Sequence, residues 1–230
     1  MEEETQLFLL HFAGGNFYSF QFLKPFVPSG YSFCPIELPG RGKRMSEALL
    51  YSESEAVADL VRQIKAKRNG RPYLLFGHSM GASLGIRVAK KMEELGDAPD
   101  RLILAGNAGP GTSDRKNRST MTDAELKEEL LTLGGVGNEV LMNDELFDFF
   151  APIMRADFGL LENAEELTDD FKVEAPICAV MGTAEETAPQ IENWKRFTSS
   201  QFSSQLLEGN HFFIHDHPFQ LMKIITEQNG

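Results

Sequence analysis

Short apolar runs recur along this chain, most of them bounded by Gly or Pro, with longer segments of helical period between them. Leu7–His11, Phe33–Glu37, Tyr73–Gly77, Leu102–Gly106, Ile177–Met181 and Gln205–Glu208 are predicted as strands, being brief and closely set with apolar residues. Ser54–Arg68 and Met80–Leu95 are predicted as helices, the second with Gly96 placed to end it in the left-handed conformation. Strands alternating with helices imply βαβ crossovers, hence a mostly parallel sheet with helices on both faces. The expected class is α/β.

One region breaks this alternation. From about 110 to 172 the pattern contains no convincing strand and instead predicts helices over Thr122–Leu133, Asp144–Ala151 and Ile153–Glu165, separated by Gly134-Gly135 and by Pro152. Thr122 or Asp123 is placed to cap the first of them. Phe147, Phe149, Phe150, Met154, Phe158 and Leu161 supply more apolar surface than one helix face needs. A helical lid inserted into the sheet topology is the expected reading.

Composition narrows the class of function. The 230 residues fit one domain, 1–230 including the lid, since roughly 100–200 residues per domain is usual. A net charge of −12 disfavours contact with phosphate backbones or anionic lipid, so neither nucleic acid nor a membrane is expected as partner. The acidic start Met1-Glu2-Glu3-Glu4 is unlike a basic secretory leader, and no run approaches a membrane span, so a cytoplasmic protein is expected. Cys34 and Cys178 lie in apolar runs and are expected to be inert buried thiols.

Gly77-His78-Ser79-Met80-Gly81 matches G-x-S-x-G, the strand-to-helix turn that exposes a nucleophilic serine. A chain of this length would show roughly 0.1 such matches by chance, and this one joins a predicted strand to a predicted helix. A serine needs a base to take its proton. Of the five histidines, His211 directly follows the strand ending near Glu208, where a base belongs in a serine–acid–histidine chain order. His78 sits within the elbow, and His215 and His217 lie where a last helix begins. An H-x-H metal pair there lacks a third ligand, so no metal is expected. The acid stays open between the glutamates of Gly182-Thr183-Ala184-Glu185-Glu186 and Asp157. For the oxyanion, one donor is the Met80 N–H, and the other belongs to the loop Phe12-Ala13-Gly14-Gly15.

Taken together, His11-Phe12-Ala13-Gly14-Gly15, Glu37-Leu38-Pro39-Gly40-Arg41-Gly42, the elbow, Leu133-Gly134-Gly135, Arg155-Ala156-Asp157-Phe158, Gly182…Glu185…Trp194 and Gly209-Asn210-His211-Phe212-Phe213 follow one another in a familiar order. Over nearly its whole length the chain resembles the type II thioesterases, stand-alone α/β-hydrolase partners of nonribosomal peptide and polyketide synthases. The resemblance implies hydrolysis of acyl thioesters from the phosphopantetheine arm of carrier proteins, clearing mis-primed or stalled groups. It implies Ser79 as nucleophile, His211 as base, Glu185 where the family has aspartate, and Asp157 as a second carboxylate. The oxyanion donors become the N–H groups of Met80 and Ala13. No cofactor is implied beyond the substrate's phosphopantetheine, and a monomer suffices. His11 stands where the family usually has proline.

Met121, Met142 and Met154 are expected to make the acyl pocket adjustable. Because carrier proteins are acidic, docking would use a local basic patch, with Arg41/Lys43/Arg44, Lys65/Lys67/Arg68 and Arg115/Lys116/Arg118 as candidates. A small-molecule carboxylesterase of the same fold and a hydrolase-fold binding module with a decayed site remain as other readings.

Overall fold

A computed structural model describes residues 4–112 and 116–227. Six strands, β1 (Thr5–Leu10), β2 (Tyr31–Ile36), β3 (Tyr73–His78), β4 (Arg101–Ala105), β5 (Ile177–Gly182) and β6 (Phe202–Leu207), pair in the order β2-β1-β3-β4-β5-β6. Every one of these pairings is parallel. Both faces of such a sheet must be covered, and the strands show it. Phe8 and Leu10 of β1 pack on one side while Leu7 and Leu9, pointing the other way, join a second cluster.

Helices α1 (Glu53–Lys67) and α2 (Met80–Glu94) bury Ala56, Leu60, Ile64, Leu84 and Val88 against the first face. The other face is covered by α6 (Pro218–Thr226), through Leu221 and Ile225, and by a 3-10 turn at Gln21–Phe26, through Leu23 and the preceding Phe20. Burying a large apolar side chain contributes roughly 1.5–3 kcal/mol, so these two layers hold the sheet together.

Between β4 and β5 the chain forms α3 (Asp123–Leu133), α4 (Asn138–Met142) and α5 (Asp144–Glu162), as the inserted helical block predicts. The cap of α3 is Thr122, whose side chain accepts the Glu125 N–H while the Glu125 carboxylate accepts the Thr122 N–H at 2.8 Å. The break expected at Pro152 does not occur, because α5 runs through it unbroken. An interior proline costs a helix about 3 kcal/mol. Here Phe147, Ala151, Ile153, Met154 and Phe158 on both sides of it are buried, and their packing outweighs that loss. β6 starts at Phe202, three residues earlier than its pattern suggests, because Ser203 and Ser204 sit half-buried on an edge strand and mask the apolar period.

The order of strands reverses direction of growth between β1 and β3, and ligand sites of open parallel sheets form at such switch points, beyond the carboxyl ends of the strands. The loop after β1 and the elbow after β3 meet there. This is the α/β-hydrolase arrangement expected from the sequence. Among the described residues, no helix is long and apolar enough to cross a membrane.

Candidate active site

Ser79 has φ 55° and ψ −113°, the single non-glycine residue with positive φ among those described. Its neighbours explain how this costly conformation is held. A Cβ on Gly77 would lie 2.0 Å from the Gly81 carbonyl oxygen, and one on Gly81 would lie 2.1 Å from that of Leu10. Backbone therefore packs on backbone, and the tight turn leaves the hydroxyl projecting above the sheet. The Ser79 N–H is fixed to the Ala105 carbonyl of β4 at 2.8 Å.

His211 reaches the serine from the loop after β6, with Nε2 2.9 Å from the Ser79 Oγ. Its Nδ1 lies 2.7 Å from Glu185 Oε2. An ionised carboxylate only accepts, so Nδ1 carries the proton and the free lone pair of Nε2 faces the serine hydroxyl. Glu185 is itself positioned by its own turn, where Oε1 accepts the Gly182 N–H at 2.8 Å. That reach-back takes up the extra methylene that a glutamate brings to a position suited to aspartate.

Asp157, the other carboxylate considered for this role, does not approach His211. It is fully buried, holds Arg41 through both oxygens, and accepts the Gly14 N–H at 2.7 Å. Its three hydrogen bonds, two to Arg41 and one to Gly14, leave it committed beneath the loop after β1. The sequence reading missed this pairing, as it did the buried Glu37, which accepts the Phe17 N–H at 2.6 Å and the Lys43 N–H at 2.8 Å. The one available signal was an ionisable residue inside an apolar setting, Ile36-Glu37-Leu38 and Ala156-Asp157-Phe158.

Met80 opens α2 directly after the serine, and Ala13 lines the same cavity as Ser79. Within the loop after β1 the Gly14 N–H is taken by Asp157 and that of Gly15 by the Phe12 carbonyl. Ala13, Ser79 and His211 line one cavity of about 250 Å³, whose apolar walls include Leu130, Val136, Phe150, Met154 and Phe158 of the segment inserted between β4 and β5. Of the three methionines expected at the pocket, only Met154 lines it. Met121 packs against the apolar cluster of the inserted helices, and Met142 is 86% exposed on the short α4. A larger, shallow depression of about 680 Å³ along β6, beside Lys172 and Lys195, touches none of these residues.

The remaining histidines are accounted for separately. His78 is completely buried under His211, with Phe12 and Phe213 at its edges, and burial holds its imidazole neutral. The His215 ring packs against Phe22, and His217 meets the Glu208 carbonyl at 2.7 Å. Among the described residues, no group of three or more His, Cys, Asp or Glu side chains is placed to hold a metal ion. Cys178 is buried, whereas Cys34 is half-buried because β2 lies at the sheet edge.

His11 is a structural histidine. Its Nδ1–H donates to the Phe12 carbonyl at 2.8 Å and its Nε2 accepts the Leu38 N–H at 3.2 Å, which requires the neutral ring. Burial, helped by the nearby Arg41 charge, lowers its pKa to about 4. The unfolded chain therefore binds a proton that the folded one refuses between about pH 6.5 and 4, and stability falls as pH drops through that window, by up to roughly 3 kcal/mol. Urea unfolding at pH 7 and pH 4.5 is expected to show the wild type losing about 2 kcal/mol more than His11→Gln. Equal losses would contradict this assignment.

The family model of the thioesterase domain matches residues 5–228. The gramicidin S biosynthesis protein GrsT of Aneurinibacillus migulanus is 28% identical, over 98% of this chain and 89% of its own length. The linear gramicidin dehydrogenase LgrE of Brevibacillus parabrevis, whose name speaks of a different chemistry, is 30% identical over 97% of this chain and 87% of its own. Among solved structures, YbtT, a type II thioesterase from the yersiniabactin NRPS/PKS biosynthetic pathway, superposes with a TM-score of 0.87 at 26% identity, covering 96% of this chain and 91% of that one.

Proposed function

The chain belongs to the thioesterase family, and on that premise we propose that it is a stand-alone enzyme that hydrolyses acyl thioesters from the phosphopantetheine arms of carrier proteins in nonribosomal peptide or polyketide synthesis. The observation that carries this reading is the Ser79 hydroxyl, bonded to His211 on the floor of an apolar cavity beneath the lid. An acyl chain fills such a cavity while its carbonyl lies against the Met80 and Ala13 N–H groups.

Ser79 Oγ attacks the carbonyl carbon as His211 Nε2 takes its proton, and Glu185 stabilises the resulting imidazolium. The tetrahedral oxyanion is held by the two N–H groups. Collapse breaks the C–S bond, the pantetheine thiol leaves with a proton from His211, and an acyl group remains on Ser79. A thiol has a pKa of about 8.5, so its anion departs more readily than an alkoxide and the general acid has little to do. Water, deprotonated by His211, then releases the free acid. The enzyme supplies no cofactor of its own. We assign it to the cytoplasm as a monomer, meeting the carrier as a partner in transit.

Docking is best supported on the side of the Pro39-Gly40 turn. Arg41 is buried against Asp157, and Arg44 is paired with Glu47 and Asp59. At the lid entrance Lys116 and Arg118 share Glu129, and Arg115 lies outside the described residues. Lys43, by contrast, is exposed, with its ammonium 3.5 Å over the Phe17 ring, and Phe17 belongs to the loop that borders the cleft. Lys43→Glu is expected to raise KM for an acylated carrier protein about five- to tenfold, the range of a lost charge contact of 1–1.4 kcal/mol. Turnover of the same acyl group on N-acetylcysteamine stays as it was. An unchanged KM on the carrier would place docking elsewhere, and preferential cleavage of simple oxoesters with indifference to carrier would point to a carboxylesterase.

A further inference from the structure

The loop from Phe12 to Ser19 carries the Ala13 N–H and contains two glycines, so its own sequence does not fix its shape. It is held from beneath by buried side chains. Glu37 accepts the Phe17 N–H, His11 bridges the Phe12 carbonyl and the Leu38 N–H, and Asp157 accepts the Gly14 N–H. Asp157 comes from α5, where Met154 and Phe158, at the i−3 and i+1 positions, line the acyl cavity. Arg41, 3% exposed, grips its carboxylate in a two-pronged pair at 2.5 and 2.8 Å and keeps it an acceptor.

We propose that Asp157, clamped by Arg41, is a positioning residue for the oxyanion hole: it ties the glycine loop to the helix that lines the acyl cavity and so aims the Ala13 N–H at the substrate carbonyl. This rests on Ser79 forming an acyl-enzyme. A buried ion pair is a weak source of stability, since well-packed apolar residues of similar size often serve as well or better. What apolar residues cannot supply is an acceptor for the Gly14 N–H. Without it the loop is free to turn, and a displacement of about 1 Å at a catalytic group lowers rate about a hundredfold.

The test uses variants that remove the buried charges together. Arg41→Met/Asp157→Leu abolishes the acceptor, whereas Arg41→Met/Asp157→Asn retains an amide oxygen for Gly14. On a butyryl N-acetylcysteamine thioester the first is expected to lose about 30- to 100-fold in kcat with KM within about twofold, the range of a misplaced oxyanion donor. Inhibition by a trifluoromethyl ketone of the same chain, whose adduct with Ser79 carries an oxyanion, weakens by the same factor. The asparagine variant recovers about tenfold in both, and the acid limb of the pH–rate profile stays in place. Should the leucine variant fail to fold, Asp157→Glu, which pushes the carboxylate a methylene further, provides the same comparison. A folded variant with wild-type kcat, or a loss of kcat without loss of ketone affinity, overturns the proposal. Wild-type enzyme that neither turns over the thioester nor binds the ketone would remove the acyl-enzyme reading itself, and this proposal with it.

Discussion

Replacing Ser79 with alanine is expected to lower kcat for thioester hydrolysis about ten-thousand- to million-fold while leaving the fold intact. The hydroxyl lies 2.9 Å from His211 Nε2, in a residue that lines the same cavity as Ala13. Alanine keeps the φ 55° turn under the same strain and removes only the oxygen, so the sheet, the elbow and the acyl pocket persist. Residual activity would come from the oxyanion donors acting on bound substrate with water as nucleophile, a contribution that survives loss of the serine in other serine hydrolases. Stopped-flow release of free thiol from wild type and variant, with Tm measured alongside, reads this directly. A variant within about tenfold of wild type would mean that the serine is not acylated.

Glu185→Gln has the second-largest expected effect, about a hundred- to ten-thousand-fold in kcat. The carboxylate fixes the tautomer because it can only accept from Nδ1. A glutamine amide can rotate its NH2 towards Nδ1, which moves the proton to Nε2 and leaves the serine facing a donor. It also withdraws the negative charge that stabilises the imidazolium. The Oε1 contact with the Gly182 N–H survives in the amide, so the turn itself is expected to hold. Asp157→Asn tested beside it separates the two carboxylates: only the Glu185 variant moves the acid limb of the pH–rate profile. The reverse pattern would return the relay to Asp157 and contradict the geometry described here.

Much of this site is legible in the sequence because its chemistry is written in contiguous residues. The elbow at 77–81 joins a strand to a helix within five residues, and His211 sits in the short loop that follows β6. The sheet is legible for a similar reason: strands buried on both faces read as unbroken apolar runs. The acid is less so, because choosing between Glu185, Glu186 and Asp157 depends on how two loops pack, and Glu185 lies 26 positions from its histidine. The bracket under the oxyanion loop is not legible at all. Arg41 and Asp157 are 116 residues apart, and no spacing rule relates them. Lys43, Arg41 and Arg44 read alike as a basic cluster, and only burial distinguishes a clamp from an exposed charge. The missed continuity of α5 through Pro152 has the same origin, since local preference argued for a break and tertiary packing decided otherwise.

The central claim is that Ser79 removes acyl groups from carrier-bound pantetheine through a covalent intermediate. Intact-protein mass spectrometry of an acylated carrier protein, incubated with wild type or Ser79→Ala, tests it most directly. The account predicts that the carrier loses its acyl mass with wild type, that a transient gain of the same mass appears on the enzyme, and that Ser79→Ala produces neither change. An acyl carrier left intact by the wild type, or cleaved equally by Ser79→Ala, would contradict it.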